Sequence, residues 1–270
     1  MGDKVAALIF KKSNWSDPGI DYDPFLKKFA LGANANLSPF TPDLDISIPL
    51  VIRGVGGGSR KAIQNCWNTG RNFYIIDTGY FGNIKHKTWH RVTKNNLQNL
   101  GPVVPYSSGR LESIGYQYVP FSTGKRILIC PPSEKVMMIF NQPSPEQWTK
   151  DVISELRQYT DRPVEIRLKP TRRERVSTDT IQSALKNDVY CLITYNSIAA
   201  VEALMVGKPA IALGPNAAQI ICNTSLSEIN NLNTPIKSTM RKFLSHLAHS
   251  QFTEEEIENG YCWETMRKLG

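Results

Sequence analysis

The residues with the clearest chemical purpose lie in VYCLITYNSIAAVEALMVGKPAIALGP, positions 189 to 215. There a buried apolar strand ends at a polar turn, Thr194-Tyr195-Asn196-Ser197, which opens a helix that runs to Gly207. A helix start offers unpaired backbone N–H groups and a partial positive charge, so it can hold a diphosphate. The hydroxyls of Thr194 and Ser197 would add two donors. Glu202, a lone carboxylate among small apolar residues, suits a bidentate grip on ribose hydroxyls. An ordinary capped helix with a Glu at its edge would be written in the same letters.

Other segments could serve the same chemistry. In RLKPTRRER, Lys169 follows a strand, and Arg172, Arg173 and Arg175 form a dense basic cluster that could neutralise a pyrophosphate or stay solvated. Ser133, Glu134 and Lys135 follow the apolar run RILIC, at a strand's carboxyl end, where ligands of α/β proteins bind. In IRGVGGGSRKA, Gly54, Gly56, Gly57 and Gly58 permit close backbone approach to a ligand, with Ser59 and Arg60 at the helix start. Ser59 stands where a dinucleotide fingerprint needs its third glycine, and no GxxxxGK[ST] occurs. The nicotinamide and P-loop readings lose their main support.

These residues need a scaffold, and the chain supplies one. Its 270 residues, 41% hydrophobic and 21% charged, suffice for one large domain or two small ones with real cores. No stretch approaches a membrane span, and MGDKVAALIFKKSN lacks the pattern of a secretory signal, so a cytoplasmic protein with no membrane partner is expected. Cys66, Cys130, Cys191, Cys222 and Cys262 are widely spaced, with no CxxC, and read as reduced core thiols. A net charge of +8 suggests an anionic partner such as a nucleotide, a polyphosphate or a nucleic acid, or else a solvated basic surface.

Short apolar runs alternate with amphipathic ones. Strands are expected over 4–10, 49–54, 72–79, 126–130, 136–140, 164–169, 189–195 and 209–214, and helices over 59–68, 144–160, 179–187 and 197–207. This rhythm predicts an α/β fold with parallel sheets, as two Rossmann-like domains facing a cleft. The expected boundaries are an amino-terminal domain over 1–120 and a second domain over 121–250. A carboxyl-terminal helix over 251–270, opened by Thr253 and Glu256 at capping-box spacing, would pack back on the first domain. Pro102 to Gly124 reads as the crossing.

The pattern T-x-N-S-x-x-A-x-E-A-L-x-x-G-K-P resembles the donor segment of GT-B glycosyltransferases, especially those related to capsule-polysaccharide synthesis. The resemblance is strong over about 30 residues and extends over the second half. It implies that Thr194, Asn196 and Ser197 hold donor phosphates and that Glu202 holds the ribose of a nucleotide-sugar co-substrate, with no metal strictly required. It makes 121–250 the nucleotide-sugar donor domain and 1–120 the acceptor side. Lys169-Pro170 stands where such enzymes often carry His-Pro. The phrase Asp77-Thr-Gly-Tyr-Phe with His90-Arg91-Val-Thr-Lys-Asn is similar to phage-encoded transferases that decorate modified DNA bases.

Inverting sugar transfer needs a base to remove the acceptor's hydroxyl proton. Asp77 follows an apolar strand and would emerge at its carboxyl end, or would merely cap the Asp-Thr-Gly turn. His86 and His90, spaced i, i+4, are the other candidates; as a metal pair they lack a third ligand in register. Asp21-Tyr22-Asp23 and Asp43-Leu44-Asp45 match a metal-binding DxD, but in Pro-flanked stretches that no strand aims. A DNA acceptor asks for cations ringed around aromatics, which Lys87, Trp89, Arg91 and Lys94 offer. Partners expected are therefore a nucleotide sugar and modified-base DNA, with no obligate protein partner. Polysaccharide or lipid acceptors and a non-catalytic DNA-binding module are the alternatives.

Overall fold

A computed structural model of the chain describes residues 3–7, 23–56, 58–83, 88–169, 180–186 and 188–268. Gly57, His86, Lys87, Arg172, Arg173 and Arg175 lie outside these residues, and so do the expectations placed on them. The chain divides into two compact units, Met1–Gly101 with Leu247–Gly270, and Pro102–His246.

The elements of the first unit are β1 (Asp3–Ala7), α1 (Pro24–Gly32), β2 (Ala35–Pro39), β3 (Leu50–Arg53), α2 (Ser59–Thr69), β4 (Phe73–Thr78) and β5 (His90–Lys94). The second unit supplies α3 (Gly109–Ser113), β6 (Arg126–Cys130), α4 (Glu134–Ile139), α5 (Pro145–Leu156), β7 (Val164–Ile166), α6 (Ile181–Leu185), β8 (Val189–Thr194), α7 (Ala199–Met205) and β9 (Ala210–Ala212). Helix α8 (Lys237–Ala248) contains the second boundary, and β10 (Gln251–Phe252), α9 (Glu254–Glu258) and α10 (Tyr261–Lys268) complete the first unit.

The first unit carries a six-stranded sheet in the order β10-β5-β4-β3-β1-β2. Strands β2, β1, β3 and β4 run parallel, while β5 is antiparallel to both β4 and β10. Strands β3 and β4 are apolar at nearly every position, as a strand covered on both faces requires. Leu26 and Phe29 of α1 pack with Val51, Tyr74, Ile76, Val92 and Phe252, and Ile257, Cys262 and Met266 join that core from the carboxyl terminus. The Thr253 capping box is present, with Glu256 N–H donating to Thr253 Oγ1 at 3.2 Å and Thr253 N–H to the Glu256 carboxylate at 2.9 Å. Gly32 and Gly260 meet backbone to backbone: a Cβ on Gly32 would collide with the Ile257 carbonyl oxygen, and Gly260 has φ +91°.

The second unit carries a four-stranded, wholly parallel sheet in the order β7-β6-β8-β9. Trp148, Val152 and Leu156, spaced by four along α5, lie on Ile127, Ile129, Cys191 and Ile193. Ser144 caps that helix, accepting from Gln147 N–H at 3.2 Å, and Pro145 occupies its first turn. The run VMMIF, expected as a strand, is instead the helix α4. Ser133 caps it, with Met137 and Ile139 inward and Met138 exposed. Five apolar residues fit either period, and the cap decides.

Pro102 to Gly124 belongs whole to the second unit, so the divisions fall at Gly101/Pro102 and His246/Leu247 where 120 and 250 were expected. The physical reason is backbone pairing. Ser122 N–H donates to the Gly207 carbonyl at 2.9 Å and Gly124 N–H to that of Val189 at 2.8 Å, which fastens the stretch to its own sheet. All five cysteines are buried free thiols. Among the described residues no helix is long and apolar enough to cross a membrane.

Candidate functional site

Strands β7, β6 and β8 lie side by side and point the same way, so the loops after them share one edge of the sheet. Those loops carry Arg167 and Lys169, Ser133, and the turn Tyr195 to Ile198, the places where ligands of parallel sheets bind. Helix α7 then brings Glu202 to the same edge. Its carboxylate is half-buried and accepts a hydrogen bond from Gln182 Nε2 of α6 at 2.8 Å. Burial pushes this carboxyl up to about 7, against the opposing pull of the Gln182 amide and the Lys169 and Arg167 charges.

The turn itself is pinned to the loop after β9. Asn196 Nδ2 bonds the Pro215 carbonyl, Asn216 Nδ2 donates to that of Ser197 at 2.9 Å, and Gly214 N–H donates to that of Tyr195 at 3.2 Å. A Cβ on Gly214 would collide with the Tyr195 ring, so only glycine lets that ring seat. Thr194 is fully buried and its hydroxyl donates to the Cys130 carbonyl at 2.7 Å. That corrects the expectation of a phosphate donor: the hydroxyl staples β8 to β6. Asn196, 8% exposed, is likewise committed to the turn. Ser197 Oγ accepts from Ala199 N–H at 3.2 Å in the turn before α7, and the residue remains half-buried. Ser133 and Lys169 are exposed. Gln182 and Arg167 were not singled out from sequence, because nothing in their spacing marks them. The fold brings both to Glu202.

The first unit gathers a different group at the end of β4. Asp77 faces Arg91 across the antiparallel pair, and its carboxylate accepts from that guanidinium at 2.8 Å and from Thr78 N–H at 2.7 Å. Arg91 also donates to the Thr78 and Leu97 carbonyls and lies over the Tyr80 ring at 5.7 Å. With a side chain 11% exposed, it is withdrawn from the acceptor-facing cation cluster expected of it. His90 is 2% exposed, its ring 4.3 Å from that of Phe25 and its Nδ1 3.4 Å from Arg53, which makes it a packing residue of the sheet and corrects its candidacy as a base. Trp89 and Lys94 are half-buried, and Gly58 is exposed, with open space on the side where a Cβ would stand. Arg53, unmarked in the sequence, stacks over Phe25 at 4.2 Å and donates to the Ile76 carbonyl at 2.9 Å.

Two α/β units, the first with a mixed sheet and the second with a wholly parallel one, define the class of fold. No protein-family model matches the chain, and no curated protein matches its sequence. Among solved structures it is similar to Thermosulfurimonas dismutans KpsC, beta Kdo 2,7 transferase, with a TM-score of 0.52 and 11% identity over 99% of this chain and 100% of that one. Thermosulfurimonas dismutans KpsC, beta Kdo 2,4 transferase also matches, with a TM-score of 0.49 and 13% identity over 92% of this chain and 91% of that one.

Proposed function

We propose that the chain is a glycosyltransferase of GT-B type, in which the second unit holds a nucleotide-sugar donor and the first presents an acceptor hydroxyl. One observation carries the reading: a half-buried Glu202, braced by Gln182 and flanked by the charges of Arg167 and Lys169, at the carboxyl edge of a parallel sheet. A carboxylate gripping ribose and cations beside it for phosphate is the arrangement a nucleotide needs. The fold shared with a beta Kdo 2,7 transferase supports a sugar-transfer chemistry.

In the proposed reaction the acceptor oxygen forms a bond to the anomeric carbon. The bond from that carbon to the donor phosphate breaks, and the nucleotide leaves with the electron pair. The acceptor's proton passes to Asp77, which Arg91 holds in place and which is 28% exposed. A saccharide acceptor is the first choice, because Arg91 is withdrawn from the cluster that a DNA backbone would need. Modified-base DNA is the second reading, kept by the net charge of +8.

Thermal shifts with a panel of nucleotide sugars test the donor site. Glu202→Ala should weaken the stabilising nucleotide roughly ten- to a hundredfold, and its 2′,3′-dideoxy form far less. No shift with any nucleotide, or equal losses for both forms, would refute the assignment. For the second reading, log affinity for DNA should fall steeply with log salt; a flat line removes DNA as acceptor.

A further inference from the structure

The second unit also holds a cavity of about 360 Å³ that shares no residue with the Glu202 group. Leu111, Tyr116 and Tyr118 give it apolar and aromatic surface, Glu112 comes from α3, and Lys237 and Arg241 come from the first turns of α8. Its polar groups are held in place. Arg241 bonds the Glu112 carboxylate and donates to Ser108 Oγ at 2.9 Å, and Ser108 Oγ donates to Glu112 at 2.9 Å. The Tyr116 hydroxyl is buried and has no hydrogen-bond partner among the described residues. Burial pushes it up to about 12, so it stays a protonated donor. Lys237 is exposed and has no ion-pair partner among the described residues.

These features select a ligand class. The volume is within the range of small-ligand pockets, and tyrosine rings offer flat apolar surface to the C–H face of a sugar ring. A fixed carboxylate–guanidinium pair can accept from one hydroxyl and donate to the next. Lys237 and Arg241 against Glu112 leave one positive charge, which matches a monoanion; a phosphate dianion would meet the Glu112 carboxylate.

We propose that this cavity binds an acidic saccharide, one sugar ring lying on the tyrosines, its hydroxyls on the Glu112–Arg241 pair and its carboxylate on Lys237. The choice of a saccharide rests on the transferase reading above; the cavity's geometry does not. Such a site would hold a charged saccharide on the second unit, apart from the Glu202 group.

Isothermal titration of the full chain with tetragalacturonate, maltotetraose and uridine monophosphate tests it. Tetragalacturonate should bind at least roughly tenfold more tightly than maltotetraose. Lys237→Gln should cost about five- to tenfold in tetragalacturonate affinity and leave maltotetraose unchanged, and Tyr118→Ala should weaken both. Circular dichroism checks that both variants fold; if Tyr118→Ala does not, the exposed Lys237→Gln still decides. Absence of tetragalacturonate binding, equal binding of the neutral sugar, indifference to Lys237→Gln, or displacement of the saccharide by uridine monophosphate each overturns the proposal. Nucleotide-sugar thermal shifts on the same samples separate the two ideas. Saccharide binding that depends on Lys237 without any nucleotide shift keeps the cavity and removes the transferase reading, and the converse removes the cavity alone.

Discussion

Asp77 in the first unit and Glu202 in the second are both carboxylates at the edge of an apolar sheet, yet their surroundings differ in kind. Asp77 meets a guanidinium at 2.8 Å and a backbone N–H at 2.7 Å, so its negative charge is answered by close donors. Glu202 has one amide at 2.8 Å, and burial outweighs the pull of Lys169 and Arg167, which holds its carboxyl up to about 7. The contrast teaches how to tell a carboxylate that the fold itself positions with close donors from one that awaits a ligand. A closely paired group has little to gain from a partner, whereas an under-compensated one has much.

The largest effect expected is at Asp77. As loss of the proposed base, Asp77→Asn should slow transfer by about a hundred- to ten-thousandfold. The same change strands the Arg91 guanidinium, 11% exposed, without its carboxylate, which should cost ~2–4 kcal/mol in urea unfolding. The double variant Asp77→Asn with Arg91→Met should regain part of that stability and none of the rate. Full transfer activity in a folded Asp77→Asn chain would leave the ion pair with a purely structural role.

Glu202 sharpens the contrast through pH. Its carboxyl is raised from an ordinary 4.5 to about 7, so between those values the folded chain keeps a proton that the unfolded chain has released. The stabilisation is fully present below the unfolded value and is lost as pH rises through the folded one. Wild type should therefore lose ~3 kcal/mol across that window relative to Glu202→Gln, at about 1.4 kcal/mol per pH unit. Parallel stability curves for the two proteins would show that burial does not oppose the charge.

The smallest effect expected is at Thr194, which has the right chemistry for a phosphate and the wrong surroundings. Thr194→Val removes the bond to the Cys130 carbonyl and should cost about 1–2 kcal/mol, with nucleotide affinity unchanged. A loss of affinity without a loss of stability would return the hydroxyl to the donor site.

Much of this was legible in the residues. The parallel strands β3, β4, β6 and β8 are written as continuous apolar runs because both faces are covered, and the Thr253 capping box is spelled in its own four letters. Glu202 stood out because a carboxylate in a small apolar helix has no local reason to be there. Strand β5 was hidden, since His90 to Lys94 is polar in composition and becomes a strand only when β4 and, from far along the chain, β10 pair with it.

The local sequence by itself determined the alternation of strands and helices, the helix caps and the lone acid of α7, because each depends on neighbours a few residues away. Tertiary structure alone decided which polar side chains were already taken. Arg91 finds Asp77 across 14 positions, Thr194 finds the Cys130 carbonyl across 64, and Gln182 finds Glu202 across 20. A side chain's hydrogen-bonding capacity is set by its type, but whether that capacity is spent depends on what the fold places within about 3 Å of it.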